Sequence, residues 1–547
     1  MRFMVDRKLS EWGPEMIKER IRSRFTVPAP MPLFDTNDVV TLELKPYLQP
    51  FERELAMREL RSLIGINADI TKKHGLWMAD TDISEELLRS KLTYWQRVGR
   101  SRLEPTLQIA FEFTQKGYTQ TVEQSELHRT RRLRYGPHDL HEYRGKFFPQ
   151  LVRSLINISC IPKGSIVLDP MCGSGTTPCE AVVEGMIALG IDLNPLSSLI
   201  STVKSLIPTL DAIEFKENTN NCLSMFKFPK IAPENIWNKD DLRYLKMWFA
   251  PAAIDDLASI VWQIDRIQTP VYRDFFRVCL SNVIRPVSWQ KDTDLRVRKD
   301  IQPYKIGTAH EWFLTESVSQ IDRIYPYLCI LNHKEVFTVD IRKGNAVDAA
   351  AIFPEYRNKV DLLVTSPPYA TALPYLDTDR LSLIVLGLLP RSKHRETEHD
   401  MVGTREVSER ERLEAWSIYE TRRAELPHNI SALIDRIADV NHHNDKVGFR
   451  RRNLPALLAR YFLSMLDAMR SVHILMKPGA YGYYVVGNNS TLVKEKKTVI
   501  PTDNFLFDLG AAAGWHPVEK IPMELITSRD IFRENRGTSE SILCFKA

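Results

Sequence analysis

Ser165-Ile-Val-Leu-Asp-Pro-Met-Cys-Gly-Ser-Gly-Thr-Thr177 is the stretch that decides how this chain folds. Ile166 to Leu168 form a short, continuous apolar run, the signature of a strand buried on both faces of a parallel sheet. Asp169 closes the run, Gly173 and Gly175 allow tight backbone turns, and a helix is predicted from Thr176. A strand, a glycine loop and a helix in that order present backbone N–H groups and a helix N-terminus to a ligand. The next apolar run, Met186–Leu193, carries Asp192 near its end. An acid roughly 20 positions beyond the glycines is where doubly wound folds grip a ribose hydroxyl. That spacing also suits a dinucleotide oxidoreductase, but Asp169-Pro170 does not match the Gly-x-Gly-x-x-Gly fingerprint.

A second strand-then-loop unit lies downstream, Asp361-Leu-Leu-Val-Thr-Ser-Pro-Pro-Tyr369. Its loop suits chemistry on the exocyclic amine of a nucleic-acid base, whose lone pair is delocalised into the ring. Acceptors placed around both N–H groups localise that pair. Ser366 offers a hydroxyl oxygen and Pro367 a backbone carbonyl. Pro367 and Pro368 fix φ and lack N–H groups, so their carbonyls stay aimed. Tyr369 offers a flat face for a base swung out of the duplex. Pro-Pro-Tyr also occurs in exposed ligand peptides, but a buried strand directly before it argues against that use.

Together these segments resemble the amino-group DNA methyltransferases, which make N4-methylcytosine or N6-methyladenine. The resemblance rests on Asp-Pro-x-x-Gly-Ser-Gly-Thr-Thr (169–177), Gly-Ile-Asp-Leu-Asn-Pro (190–195) and Thr-Ser-Pro-Pro-Tyr (365–369), and covers roughly 141–207 and 336–547. His141–Leu151 is similar to the segment such enzymes fold over the methionine end of the cofactor, and Gly344–Asp348 to their adenine contact. Leu475–Gly487 and Glu540–Phe545 resemble the family's fifth-strand hairpin and final strand. The resemblance implies S-adenosylmethionine as cofactor, held by Tyr143, Lys146, Phe147, Phe148, Asp169, Pro170, Gly173, Ser174, Gly175, Thr176, Asp192, Asn194 and Asp348. It implies Ser366, Pro367, Pro368 and Tyr369 as the catalytic loop, with no metal and no covalent intermediate. The implied fold is α/β: a Rossmann-like seven-stranded sheet, mostly parallel, with helical insertions and an N-terminal helical extension. Ser-Pro-Pro-Tyr leans toward cytosine N4 over adenine N6. The implied partner is DNA in duplex form, with room for a partner protein of a restriction or defence system; oligomeric state is not legible. An RNA base-amine methyltransferase and an inactive nucleic-acid-binding subunit are the alternatives.

The chain departs from that pattern in two places. Met171 stands where the family often has an aromatic residue. The two loops are also 197 positions apart (366 − 169), so something is inserted between the second and third strands. The expected divisions are a helical extension over 1–140, a cofactor half over 141–207, a helical insertion and candidate target-recognition region over 208–335, and a catalytic half over 336–547 interrupted by a charged segment at 390–453.

Composition fits a soluble enzyme of several domains: 547 residues, 44% hydrophobic and 26% charged. The net charge of +5 is mild, so a nucleic-acid surface has to be local. Candidates are Arg129, Arg131, Arg132 and Arg134 before the cofactor segment, and Arg450, Arg451 and Arg452 at the end of the charged segment. The first group also reads as a solvated helix face or linker, and the triplet as a helix cap. The seven cysteines lack zinc or disulfide spacing, and Cys179, although part of a Pro-Cys pair, falls inside the expected helix. The N-terminal residues show no signal-peptide core and the longest apolar run, near 381–389, is too short for a bilayer, so a cytoplasmic, non-membrane protein is expected.

Overall fold

The computed structural model describes residues 12–28, 39–114, 132–143, 148–291, 298–332, 337–370, 375–404, 408–442, 448–493, 496–524 and 539–547. Its centre is a seven-stranded sheet built from β1 (Ile166–Asp169), β2 (Ile187–Asp192), β3 (Val339–Lys343), β4 (Val360–Thr365), β5 (Met476–Gly487), β6 (His516–Glu524) and β7 (Ser539–Lys546). In space the order is β6-β7-β5-β4-β1-β2-β3. β3, β2, β1, β4 and β5 pair in parallel, and β7 runs antiparallel to both β5 and β6.

Strand periodicity explains why the sheet is covered on both sides. Val167, Ala188, Leu362, Val364, Tyr483 and Val485 enter one apolar core, and their alternate neighbours Leu168, Leu189, Leu363, Tyr484 and Val486 enter another. On the first side lies α1 (Pro149–Ile158), which buries Leu151, Val152 and Leu155. On the second lies α5 (Phe449–His473), with Leu458, Phe462 and Leu466 in the core. α2 (Thr176–Val183) and α3 (Pro195–Leu206) follow β1 and β2, and α4 (Tyr375–Val385) comes after the Ser-Pro-Pro-Tyr loop.

From β1 the chain winds outward through β2 to β3, then returns to place β4 on the other side of β1. The strand order therefore reverses between β1 and β4, and doubly wound sheets bind ligands beyond the carboxyl ends of the strands at such a reversal. Asp169 ends β1 and Thr365 ends β4, so both motif loops leave the sheet there.

The N-terminal region requires a correction. A helix spans Pro50–Ile64 with a Gln49–Glu52 capping box and buries Phe51, Leu55, Ala56 and Leu60, but the region is not purely helical. Six strands form an antiparallel sheet in the spatial order Val27–Pro28, Arg102–Pro105, Trp95–Gly99, Val39–Leu44, Leu76–Asp80, Ile70–Lys73. These strands have 2–6 residues and their burial does not alternate cleanly, as in Trp95–Gly99, so no period-2 signal marks them. Val40, Leu55 and Trp95 share their core with α1 and the central sheet.

Between β2 and β3 stand the helices Ala212–Met225, Lys239–Leu245, Pro251–Ile264, Pro270–Ile284 and Thr308–Leu331. Phe226 meets Phe276 and Phe313 edge-on at their centre. Their core continues into Leu196, Ile200 and Val203 of α3 and into Leu376 and Leu381 of α4. This helical layer thus abuts the helix after β2 and the helix after the Ser-Pro-Pro-Tyr loop. In the charged segment, Glu409–Arg422 and His428–His442 are helices. Arg422 pairs there with Glu425 at 2.8 Å and with Asp467 of α5 at 2.6 Å. Among the described residues no helix is long and apolar enough to cross a membrane.

Candidate cofactor and catalytic site

The glycine loop takes its shape from backbone conformations that side chains disfavour. Gly173 and Gly175 have φ of 50° and 76°. A Cβ on Gly175 would sit 2.6 Å from the Cα of Ser201, so the loop can lie against α3 only with glycine there. Gly173 faces the Tyr143 ring, which a Cβ would approach to 3.1 Å, and the Tyr143 hydroxyl accepts a 3.2 Å hydrogen bond from Ser197.

Two carboxylates flank this loop. Asp169 is fully buried; its Oδ1 accepts from Thr365 Oγ1 at 2.6 Å and from the Met171 N–H at 3.1 Å. Its Oδ2 has no hydrogen-bond partner among the described residues. Burial pushes the Asp169 carboxyl up to about 7, against the pull of the Thr365 hydrogen bond. Asp192 accepts from the Gly173 N–H at 2.8 Å and the Asn194 N–H at 2.9 Å, and keeps a partly open edge. Burial raises it to about 6 against those two bonds. Asn194 caps α3 through the Leu196 N–H at 3.0 Å and donates to Asp379 of α4 at 2.8 Å.

Asp348 lies exposed beyond the end of β3, in a turn whose Gly344 N–H donates to the Asp192 carbonyl at 3.0 Å. Pro170, Ser174 and Thr176 sit in the same loop as the glycines. Thr176 Oγ1 accepts from the buried Lys204 at 3.2 Å, and burial brings that lysine down to about 8. Phe148 packs at the start of α1. Lys146 and Phe147 fall outside the described residues. Cys179 is fully buried in α2 and burial raises its thiol, which suits a packing residue better than a nucleophile.

Ser366, Pro367, Pro368 and Tyr369 leave β4 beside this loop. The Ser366 hydroxyl donates to the Val485 carbonyl at 3.0 Å, which leaves its lone pairs for a donor approaching from the site. Tyr461 of α5 donates to the Pro368 carbonyl at 2.9 Å. Tyr369 is 38% exposed, and its hydroxyl donates to Glu540 at 2.9 Å. Gly403 closes over the loop, with its Cβ direction meeting the Tyr369 carbonyl at 3.2 Å.

Arg129 and Arg131 lie outside the described residues, as does the side chain of Arg450. Arg134 is exposed, 4.0 Å from Asp139, and the Arg132 carbonyl accepts from Gln150 at 2.6 Å. Arg451 and Arg452 stand exposed in the first turn of α5. Sequence reasoning missed Asp379, Tyr461, Lys204 and Glu540. Only their contacts across the fold distinguish them from ordinary surface or core residues.

A doubly wound sheet with these two loops across its reversal defines the methyltransferase class. A methyltransferase-domain family model (UPF0020, RMKL-like) matches residues 140–195. The chain is 23% identical over 436 residues to the Type II methyltransferase M.MvaI of Kocuria varians, covering 75% of this chain and 90% of that protein. It is 22% identical over 449 residues to the Type II methyltransferase M.BsoBI of Geobacillus stearothermophilus, covering 74% and 85%. Over 80 residues it is 40% identical to the Type II methyltransferase M.MjaII of Methanocaldococcus jannaschii, 15% of this chain and 14% of that one. The rRNA methyltransferase aviRa of Streptomyces viridochromogenes overlaps structurally with a TM-score of 0.25 at 10% identity, across 74% of this chain and 88% of that one. That overlap is too loose to bear on fold or substrate. The family match and the likeness to Type II methyltransferases support a methyltransferase, and S-adenosylmethionine is the methyl donor such a domain implies.

The residues present fit that cofactor. The glycine loop can approach a ligand backbone-first, Asp192 offers acceptors suited to a ribose diol, and the unpartnered Oδ2 of Asp169 offers a buried acceptor beside the loop.

Proposed function

We propose that the chain is a site-specific DNA methyltransferase of the restriction-modification kind, acting on the exocyclic amine of a base swung out of the duplex. Cytosine N4 is favoured over adenine N6. One observation carries the reading: the Ser366–Tyr369 loop and the Asp169–Gly175 loop emerge side by side at the reversal of strand order, tied by the Thr365–Asp169 hydrogen bond. The likeness to Type II methyltransferases supports the DNA side of the proposal.

In this reading Asp192 holds the ribose of the cofactor and the glycine loop lies against its amino-acid end. S-adenosylmethionine, when bound, supplies an electrophilic methyl group on its sulfonium. Ser366 Oγ accepts one amine N–H, because its own proton is committed to Val485. The Pro367 carbonyl accepts the other, since the Pro368 carbonyl is engaged by Tyr461. With both N–H groups held, the nitrogen lone pair points out of the base plane, and the gain comes from orientation and fixed dipoles. Tyr369 stacks on the extruded base. The Arg129–Arg134 stretch and Arg450–Arg452 hold backbone phosphates.

Transfer of tritiated methyl groups from S-adenosylmethionine to bacterial genomic duplex DNA and, separately, to structured RNA tests this. Incorporation into DNA is the expected result. Incorporation into RNA alone would shift the proposal to an RNA amine.

A further inference from the structure

Tyr369 is held from two sides by one cross-strand pair. Gly487 on β5 and Glu540 on β7 are directly opposite each other in the antiparallel ladder. Glu540 Oε1 accepts the Tyr369 hydroxyl at 2.9 Å. Gly487 backs the ring so closely that a Cβ there would lie 3.1 Å from Tyr369 Cζ, 3.2 Å from its hydroxyl and 3.3 Å from Cε1. An aromatic ring at the end of a Pro-Pro loop has two free torsions. A partly exposed one would otherwise sample several rotamers. Stacking alone asks only for a π-face, so a carboxylate that fixes the far end of the ring has to act on orientation.

We propose that Glu540 is a positioning residue which, with Gly487, sets the plane of Tyr369 before the base arrives. The inference rests on the reading of Tyr369 as the stacking ring. Gly487 is the complementary half of the device: any side chain there pushes the ring forward by a few tenths of an ångström. Because β7 joins β5 on the side away from the cofactor loop, Glu540 takes no part in holding S-adenosylmethionine.

The experiment uses the full-length protein, tritiated S-adenosylmethionine and genomic duplex DNA from a methylation-deficient bacterial host. It compares wild type with Glu540→Ala, Glu540→Gln, Tyr369→Phe, Gly487→Ala, Tyr369→Ala and the Glu540→Ala/Tyr369→Phe double variant. Melting temperature and S-adenosylmethionine affinity are read on the same preparations. Glu540→Ala and Tyr369→Phe each remove one end of the same bond. Each is expected to lower kcat by a similar factor, about tenfold or less for a single hydrogen bond, with cofactor affinity unchanged. The double variant should be no slower than either single one, because both report one interaction. Glu540→Gln keeps an acceptor oxygen and should recover most of the rate. Gly487→Ala should slow transfer while leaving the Glu540 carboxylate in place. Wild-type turnover in Glu540→Ala, or losses that multiply in the double variant, overturns the proposal. A Tyr369→Ala protein that methylates at the wild-type rate, or a wild-type protein that transfers nothing to DNA, overturns the stacking reading and the inference with it. A slow Tyr369→Ala beside a fast Glu540→Ala overturns the inference alone.

Discussion

Thr365 Oγ1 donates a 2.6 Å hydrogen bond to Asp169 Oδ1 across 196 positions of sequence. The two residues end neighbouring parallel strands on either side of the point where the strand order reverses. The bond fixes the spacing between the two loops that leave those strands. It also spends one oxygen of the buried carboxylate on the scaffold and leaves the other without a hydrogen-bond partner among the described residues. A second tie runs between the same halves, from Asn194 at the start of α3 to Asp379 on α4 at 2.8 Å. The glycine loop and the Ser-Pro-Pro-Tyr loop are thus referenced to each other by direct polar bonds rather than by the sheet alone.

If Asp192 holds the ribose, Asp192→Ala weakens S-adenosylmethionine binding by roughly 1.5–3 kcal/mol, the range for hydrogen bonds to a charged group. Its carboxyl sits at about 6 in the free protein. Ionised acceptors are therefore lost as pH falls through 6, so the wild-type advantage in affinity over Asp192→Ala should shrink there, while the Asp169 carboxyl, raised to about 7, titrates in both proteins. Calorimetry from pH 5 to 8 checks both; equal affinities of the two proteins at pH 8 would remove Asp192 from the ribose.

Ser366→Ala should lower turnover with cofactor affinity nearly intact, because the hydroxyl acts on the amine and not on S-adenosylmethionine. Tyr369→Ala should weaken the base-stacking step by about 1–3 kcal/mol, and Tyr369→Phe, which keeps the ring and loses only the hydroxyl bond to Glu540, should lose less. A purely structural turn predicts a different pattern, in which melting temperature falls in both alanine variants and activity follows the folded fraction. Methyl transfer and thermal melts on the same samples separate the two.

Neutralising Arg129, Arg131, Arg132 and Arg134 together should flatten the dependence of DNA affinity on salt, by up to about one unit of log–log slope per phosphate contact. The same slope in variant and wild type would mark the stretch as a solvated face.

Lys204 provides a test of stability independent of substrate. Burial lowers its folded pKa to about 8, below the 10.5 of an unhindered lysine. Between those values the unfolded chain binds more protons than the folded one, so this residue's contribution makes stability rise with pH from about 8 to 10.5. Below pH 8 it carries a full desolvation cost. Lys204→Met should therefore be relatively most stabilising near pH 7 and lose that advantage toward pH 10. Chemical denaturation of both proteins across this range measures the difference, and a constant difference would contradict the assignment.

The parts of the site that were legible in the sequence are those carried by local chemistry. Ile166–Leu168 and Leu362–Val364 are continuous apolar runs because both faces of their strands are covered. The loops that follow them contain residue types that a plain turn does not need. Asp192 was legible because its distance from the glycines is set by one helix and one strand. Glu540, Tyr461 and Asp379 were not, since each acts on a residue 93 to 185 positions away and carries no local mark. The N-terminal sheet escaped for a different reason. Strands such as Arg102–Pro105 are too short to show a period, and the sheet's buried side chains, among them Val40, Trp95 and Val98, share their core with α1 and the Pro50–Ile64 helix. α5 begins at Phe449, so the arginine triplet lies in its first turn.

Mass spectrometry of nucleosides gives the most direct test of the central claim. Genomic duplex DNA from a methylation-deficient host is incubated with the protein and S-adenosylmethionine carrying a deuterated methyl group, then digested to nucleosides. The account predicts labelled N4-methylcytosine, or labelled N6-methyladenine if the lean of Ser-Pro-Pro-Tyr toward cytosine is overridden by the pocket. It further predicts that the label accumulates more slowly in Ser366→Ala and Tyr369→Ala proteins that still bind the cofactor. Label found only in 5-methylcytosine, or no labelled nucleoside from a folded and cofactor-bound protein, would contradict it.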